Sequence, residues 1–99
     1  SFNDLFRKKV YSDQEISYCE LFDPAILRYA STWAAKEAVY KAVKQIDSSP
    51  LSFKKIEITR EKLSGKPYVS LPETLRGLRI SLTITHDADY VWAAALVKR

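Results

Sequence analysis

The chain has 99 residues, of which 46% are hydrophobic and 28% charged, a length and balance that suit one globular domain spanning residues 1–99. No stretch is long and apolar enough to cross a bilayer, and residues 1–10 mix acidic and basic groups, unlike a secretory signal. The single cysteine, Cys19, cannot pair within the chain, which predicts a reducing, cytoplasmic location and an ordinary packing role for this thiol.

The charge balance is basic, with sixteen Lys and Arg against twelve Asp and Glu and a net charge of +4. Small positive groups stand at residues 7–9, 54–55, 76–79 and 98–99. Such a chain favours acidic partners, whether a nucleic acid, a polyphosphate cofactor or an acidic protein. The alternative is solvated charge that keeps a small domain soluble.

A short helix is predicted first. Ser12 is a suitable N-cap, Glu15 follows three positions later, and apolar Ile16 and Cys19 come next, as at a capped helix start. We expect this helix to end near Phe22.

A long helix follows over residues 25–46, which contain neither Gly nor Pro and consist largely of good helix formers. We expect Asp23 to cap it and Pro24 to occupy its first position. The polar segment 47–50, which ends in proline, should terminate it.

The second half of the chain predicts four strands separated by turns. The strands cover residues 52–60, 67–71, 79–85 and 90–97. Residues 62–66 read as a turn around Gly65, residues 72–77 as a connector and residues 86–89 as a further turn. The third strand alternates strictly, whereas the fourth is a continuous apolar run, typical of a strand covered on both faces. The predicted fold class is therefore α+β, with the long helix packed on an antiparallel sheet.

One arc of the long helix combines apolar and charged side chains. At about 100° per residue, the arc contains Ile26, Ala30, Trp33, Ala34 and Glu37, with Lys41 and Lys44 beside it. A charge in an apolar stripe is costly unless it is paired or binds an ion. Glu37 and Lys41 are four residues apart, so an ordinary helical salt bridge is one interpretation, and a functional site is the other.

These residues carry a family resemblance. Residues 33–41, W-A-A-K-E-A-V-Y-K, resemble the W-x-x-K-E-A-x-x-K signature of 4′-phosphopantetheinyl transferases. Residues 64–67, S-G-K-P, are similar to the family's G-x-P turn, and residues 84–87, I-T-H-D, to its S-x-S-H-D strand end. Residues 11–15, Y-S-D-Q-E, resemble its F-T-x-x-E helix start. The order of these motifs resembles the holo-acyl-carrier-protein synthase branch and the transferase domains of fungal-type fatty acid synthases.

The resemblance implies a reaction. Phosphopantetheine would move from coenzyme A, the co-substrate, to a serine of an apo acyl carrier protein, and 3′,5′-ADP would leave. Mg²⁺ is the implied cofactor, since a hard cation with oxygen ligands suits a pyrophosphate under attack. Glu37 corresponds to the family's metal-binding glutamate, and Lys41 to a lysine that contacts phosphate. Lys36 would add to the positive field, or point outward as a solvated lysine.

Further residues are assigned to coenzyme A by the same resemblance. Gly65 and Pro67 correspond to a loop near its nucleotide end, although an ordinary turn is the alternative. Thr85 and His86 match the strand end that contacts coenzyme A, with a structural turn histidine as the alternative. The family also implies a homotrimer with its site between subunits, so that His86 would serve a neighbour's Glu37.

The basic segment Arg7, Lys8 and Lys9 stands where the family presents positive charge to an acidic carrier protein. Opposite charges on the two partners would speed their encounter. We therefore expect these three residues to bind the partner.

Two departures qualify the resemblance. The family begins with a G-x-D strand whose aspartate is the other main metal ligand, and nothing here matches it, so we expect a domain lacking its N-terminal strand. Metal binding would then depend on Glu37 alone, and this exact chain could be inactive. Thr32 stands where relatives often carry Arg or Lys, which would alter a phosphate contact.

Two other functions remain open at this stage. One is a noncatalytic module for carrier binding or assembly, if the N-terminal strand is absent from the native protein. A small basic nucleic-acid binder is the unrelated alternative, but exposed aromatic platforms among basic residues are not evident, because we expect Trp33 in the core and Trp92 in an apolar strand.

Overall fold

The computed structural model describes residues 2–87 and 90–99. Three helices come first and four strands follow, as the α+β prediction requires. The elements are α1 (Phe2–Val10), α2 (Asp13–Cys19), α3 (Ile26–Lys44), β1 (Glu57–Arg60), β2 (Pro67–Ser70), β3 (Arg79–Asp87) and β4 (Tyr90–Lys98), with short 3₁₀ turns at Phe53–Lys55 and Glu73–Leu75. No described helix is long and apolar enough to cross a membrane.

The start of α2 follows the sequence prediction. The Ser12 hydroxyl accepts a hydrogen bond from the Glu15 amide at 3.1 Å, and the Glu15 carboxylate accepts one from the Ser12 amide at 2.8 Å. This reciprocal capping box satisfies two amides that a helix start would otherwise leave free. The helix ends at Cys19 rather than near Phe22.

The start and the buried face of α3 differ from the prediction. Ala25 is the N-cap and no side chain caps the helix, so the expectation that Asp23 would cap it was wrong. Ile26 and Ala30, predicted to face the core, are exposed. The buried residues of the helix are Tyr29, Ser31, Thr32, Ala35, Lys36, Val39 and Val43. The buried face is thus rotated by about one residue from the predicted arc, and it includes Lys36.

The strands form two separate antiparallel hairpins, β1–β2 and β3–β4. Of the first predicted strand, residues 53–55 instead form a 3₁₀ turn, and only Glu57–Arg60 pairs with Pro67–Ser70. The turn around Gly65 is as predicted. The expected turn at residues 86–89 lies partly outside the described residues, and β3 extends through His86 to Asp87.

The β3–β4 hairpin has one inner and one outer face. Side chains along β4 alternate between half-buried and exposed, so the prediction of a strand covered on both faces is wrong for this single chain. Tyr90, Trp92 and Leu96 are 74%, 58% and 69% exposed. Trp92, expected to be part of an apolar interior, therefore lies on an uncovered apolar face, the outer face of β4.

Two apolar clusters include side chains of α3. One joins Ala35, Val39 and Val43 of the helix to Ile56, Ile58 and Leu75, and the inner side chains of β3 and β4 pack against it. The other joins Val10, Tyr11, Cys19 and Tyr29. Phe53 contacts both clusters and stacks on Trp33 at 4.8 Å between ring centroids.

Helix α1 was not predicted from the sequence. A helix of nine residues is marginal in isolation. Phe6 supplies the tertiary contact, because its ring meets Trp33 at 5.6 Å and Tyr11 at 6.4 Å, edge to face. Packing on α3 thus fixes this basic helix beside the long helix.

Candidate active site

The most enclosed charged group in the described chain is Lys36, with 0% of its side chain exposed. Its amine donates to Glu15 Oε1 at 2.5 Å and to the Ile56 carbonyl at 2.6 Å. Glu15 is itself 2% exposed. The expected alternative of a solvated lysine is therefore wrong. The assignment of Lys36 to coenzyme A is also corrected, because its amine is enclosed by protein groups.

The Glu15 carboxylate satisfies groups from three elements. Besides Lys36 of α3 and the Ser12 amide at the start of α2, its Oε2 atom accepts a hydrogen bond from the Ile58 amide of β1 at 2.8 Å. Burial lowers the pKa of Lys36, while the hydrogen bond and the charge of Glu15 act in the opposite direction. The capping box signals Glu15 as a helix-start residue, but nothing in the sequence signals this buried pair.

Glu37 and Lys41 lie on the accessible side of α3. Glu37 is half-buried and Lys41 is exposed, and a separation of four residues puts them about 40° apart around the helix. Among the side chains that the structure describes, Glu37 makes no ion pair or hydrogen bond, so the expected salt bridge with Lys41 does not form. A carboxylate and an ammonium group thus stand side by side without neutralising each other.

The residues that the structure describes can be compared with the ligands that Mg²⁺, the implied cation, requires. Within the described part of the chain, no group of three or more His, Cys, Asp or Glu residues could hold a metal ion. Mg²⁺ is commonly held by one or two carboxylates together with substrate phosphates and water. The carboxylate of Glu37 fits that mode, whereas the described residues offer no cage of three or more protein ligands.

The strand-end residues lie at the opposite end of α3. His86 is exposed and lines a cleft with Phe22, Asp23, Pro24, Leu27 and Arg28. The neighbouring Thr85 is half-buried and pairs with Trp92 across the ladder. Arg28 was not anticipated as part of this cleft.

Within one chain the two groups stay apart. Arg28, in the His86 cleft, lies nine positions before Glu37 in α3, which corresponds to about 14 Å of helical rise. The structure therefore does not bring His86 to its own Glu37.

The Gly65 turn connects β1 to β2. Gly65 has a φ of +73°, a conformation that glycine adopts without the penalty of a Cβ atom. Arg60 Nη1 donates to the Gly65 carbonyl at 3.3 Å, whereas Arg60 Nε and Nη2 are buried and have no hydrogen-bond partner within the described part of the chain. Burial lowers the pKa of Arg60, and the Arg28 cation lowers it further against the opposing effect of Tyr18. Pro67 begins β2 opposite Arg60.

The predicted partner-binding residues lie on α1. Lys8 and Lys9 are exposed, and Arg7 is half-buried. The Arg7 guanidinium lies 4.6 Å from the centroid of the Tyr29 ring and 3.9 Å from the Glu20 carboxylate. Arg7 therefore makes contacts within the fold, and Lys8 and Lys9 are the basic residues that α1 exposes.

The fold and the α3 side chains define a small α+β domain that presents a carboxylate and an ammonium group from one helix. The sequence profile of the 4′-phosphopantetheinyl transferase superfamily matches residues 1–95. The chain belongs to this superfamily.

Individual relatives agree with the profile. A holo-acyl-carrier-protein synthase of Aquifex aeolicus (strain VF5) is 31% identical over 104 residues, which cover 99% of this chain and 84% of the relative. A protein of the same name from Chlamydia muridarum (strain MoPn / Nigg) is 34% identical over 102 residues, covering 99% of this chain and 80% of the relative. Another from Chloroherpeton thalassium (strain ATCC 35110 / GB-78) is 31% identical over 100 residues, covering 98% and 82%.

Proposed function

We propose that this protein is a holo-acyl-carrier-protein synthase, which transfers 4′-phosphopantetheine from coenzyme A to a serine of an apo acyl carrier protein. The serine oxygen bonds to the β-phosphorus, the bond from that phosphorus to the bridging oxygen breaks, and 3′,5′-ADP leaves. The hydroxyl proton passes to water. The observation that carries the proposal is the match of a superfamily profile to residues 1–95.

Glu37 and Lys41 are the proposed catalytic residues. Mg²⁺, when bound, would supply positive charge to the pyrophosphate oxygens. Glu37 is its proposed protein ligand, since its carboxylate is free among the described side chains and lies on the accessible side of α3. Lys41, one turn further along, is proposed to contact phosphate and to offset charge developing on the leaving group.

Coenzyme A contacts are proposed for two further groups, the Gly65–Pro67 turn and the Thr85–His86 strand end. The separation along α3 of about 14 Å supports a site assembled between subunits, in which His86 faces the Glu37 of a neighbour. Lys36 is left out of this set because its amine is buried.

A homotrimer is the proposed assembly, and the outer face of β4 is its proposed contact surface. Tyr90, Trp92 and Leu96 are all more than half exposed, and a large uncovered apolar face marks an interaction site. A second and third copy of this chain are the proposed occupants, since His86 lies at the end of the strand that pairs with β4.

The acidic surface of the carrier protein is proposed to dock on α1. Lys8 and Lys9 are exposed there, and the ring of Phe6 holds the helix against Trp33 at 5.6 Å. Opposite charges on the two surfaces would raise the association rate at low ionic strength. A cytoplasmic location, where carriers of fatty acid synthesis would be met, is proposed from the single unpaired cysteine.

The test is the mass of an apo carrier protein after incubation with this chain, coenzyme A and Mg²⁺. We expect a gain equal to one phosphopantetheinyl group, its loss with Glu37→Ala, and its retention with Glu73→Ala. Glu73 is the matched control because it is an exposed acid paired with Arg76.

Two results would favour other functions. Binding of the carrier without any mass gain, in a chain that takes up no coenzyme A, would favour a noncatalytic binding module. Salt-sensitive binding of RNA or DNA in place of coenzyme A would favour a nucleic-acid binder, for which the exposed ring of Trp92 would offer a stacking surface.

A further inference from the structure

The burial of Glu15 and Lys36 costs free energy, and the packing of the core does not require a charged pair at this place. Removing two charges from water is expensive, and an apolar pair of similar size is often as stable or more stable. Here both groups are almost completely buried, with exposures of 2% and 0%. Such a pair is best attested where it specifies one arrangement among several.

On the N-terminal side of this pair, α3 buries mostly small side chains. Apart from Tyr29, the buried residues of α3 that precede Lys36 are small, namely Ser31, Thr32 and Ala35. Thr32 Oγ1 meets Cys19 Sγ at 3.8 Å, and the Ser31 hydroxyl donates to the Arg28 carbonyl of its own helix at 3.1 Å. Small side chains permit a helix to rotate or slide against its neighbours at little cost in packing.

Directional bonds remove that freedom. The Lys36 amine joins α3 both to α2, through Glu15 at 2.5 Å, and to the chain entering β1, through the Ile56 carbonyl at 2.6 Å. Glu15 is fixed in turn by the Ile58 amide at 2.8 Å. Three elements therefore meet at one ammonium group, which can move little without losing these hydrogen bonds.

Lys36 directly precedes Glu37. Neighbouring residues of a helix point about 100° apart, so fixing the Lys36 side chain inward fixes the direction in which Glu37 points. Lys41 follows on the same side of the helix as Glu37. The rotation of α3 that sets both groups is thus determined at the buried pair.

We propose that Glu15 and Lys36 are positioning residues for the transferase site, which hold α3 in the one rotation that presents Glu37 and Lys41 to metal and phosphate. The proposal rests on the proposed function. Neither residue touches the reacting atoms. Groups that orient a metal ligand without contacting the metal typically alter metal affinity or activity by about 10- to 100-fold when removed.

The informative variant is the double substitution Glu15→Gln with Lys36→Met. It leaves no unpaired buried charge, and the single amide oxygen can accept a hydrogen bond from either the Ser12 or the Ile58 amide, which the two carboxylate oxygens of Glu15 serve separately. We therefore expect a cooperative thermal transition at a lower midpoint. With the directional ion pair removed, we expect about a tenfold or greater rise in the Mg²⁺ concentration for half-maximal activity. The KM for the carrier protein, which docks on α1, should stay within about twofold.

A readout independent of turnover is the binding of Mn²⁺ in the presence of saturating coenzyme A, followed by the Mn²⁺ EPR signal. We expect a weakening of about tenfold or more in the double variant. Lys44→Met is the matched control, since Lys44 is on the same helix and donates to the Ser49 carbonyl at 2.5 Å, outside the buried pair. It should bind Mn²⁺ as the wild-type chain does.

A folded double variant with unchanged Mn²⁺ binding and unchanged Mg²⁺ dependence would overturn the positioning role. If the double variant does not fold, Glu15→Asp takes its place, because it keeps the charge and withdraws the carboxylate by one methylene group. We then expect weaker Mn²⁺ binding, and unchanged binding in that folded variant would equally overturn the role. A wild-type chain that neither modifies a carrier nor binds Mn²⁺ with coenzyme A, with the same result for a chain extended at its N-terminus, would instead overturn the proposed function.

Discussion

Substitution of Gly65 by alanine separates the backbone requirement of the β1–β2 turn from its proposed role toward coenzyme A. Gly65 has a φ of +73°, and a Cβ atom added there would meet no heavy atom within 4 Å. In the folded chain alone, an alanine side chain at position 65 would therefore cause no steric clash. What remains is the intrinsic cost of the left-handed conformation, which is about 1–2 kcal/mol for a residue with a Cβ atom.

Gly77 provides the matched comparison. It is exposed, and a Cβ atom there would also meet nothing within 4 Å, but its φ is not in the left-handed region. Both substitutions to alanine reduce the conformational entropy of the unfolded chain by the same amount, worth about 0.4–1 kcal/mol. The difference in the free energy of unfolding between the two variants should therefore be the left-handed cost, about 1–2 kcal/mol.

Thermal unfolding followed by circular dichroism measures this difference. For a domain of 60–100 residues, 1 kcal/mol shifts the midpoint by about 4–8 °C, so Gly65→Ala should melt roughly 4–16 °C below Gly77→Ala. Gly65→Asn should recover part of the loss, because asparagine tolerates this conformation better. Equal midpoints for the two alanine variants would refute the backbone argument.

Calorimetric titration with coenzyme A tests the second part. If the coenzyme approaches the turn closely, any side chain at position 65 fills the space, and both Gly65→Ala and Gly65→Asn should weaken binding. Affinity that stays at the wild-type level in both variants would leave Gly65 as an ordinary turn residue.

Three further predictions concern the surface and the core. Charge reversal by Lys8→Glu with Lys9→Glu should raise the KM for an acidic carrier several-fold at low salt. The rise should be much smaller at high salt, since screening weakens the interaction. An equal effect at both salt concentrations would contradict docking on α1. The substitution Leu96→Lys, on the outer face of β4, should lower the mass measured by light scattering from that of a trimer towards that of one chain, and an unchanged mass would rule out this face as the contact. Burial raises the pKa of Tyr11, and burial together with a hydrogen bond to the Glu20 carboxylate raises that of Tyr29, so the neutral phenols are favoured by folding. Their contribution to stability is complete below the ordinary tyrosine pKa near 10 and is lost as the pH rises above it. Absorbance at alkaline pH should show these two tyrosines ionising only when the chain unfolds. Ionisation of all six tyrosines before unfolding would contradict the burial of these two.

Local patterns in the sequence predicted the elements that depend on neighbouring residues. The capping box of Ser12 and Glu15 fixed the start of α2, and the strict alternation over residues 79–85 marked β3. Gly65 marked the turn between β1 and β2, because few other residues adopt a positive φ without cost. The signature over residues 33–41 named the family, and residues 1–95 match the superfamily profile.

The orientation of α3 could not be predicted, for a physical reason. The sequence offered two interpretations of Lys36, a contribution to the positive field of the site or an outward, solvated lysine. Its charge is instead satisfied inside the fold by Glu15, 21 residues away in the chain. A pairing at that sequence separation depends on how α2, α3 and β1 come together. The rotation of the helix, and with it the direction of Glu37, was therefore decided only in the tertiary structure.

The same distinction applies to β4 and to the cleft at His86. The sequence determined that residues 90–97 form an apolar strand, but the number of faces covered depends on which elements pack against it, and in this chain one face remains open. The sequence likewise proposed Glu37 and His86 as site residues. Their separation depends on how β3 packs along α3, which places His86 in a cleft with Arg28, near the N-terminal end of that helix. The chemistry of single residues and short motifs can be predicted from the sequence. The distances between residues far apart in the chain cannot, because they are set by the packing of whole helices and strands.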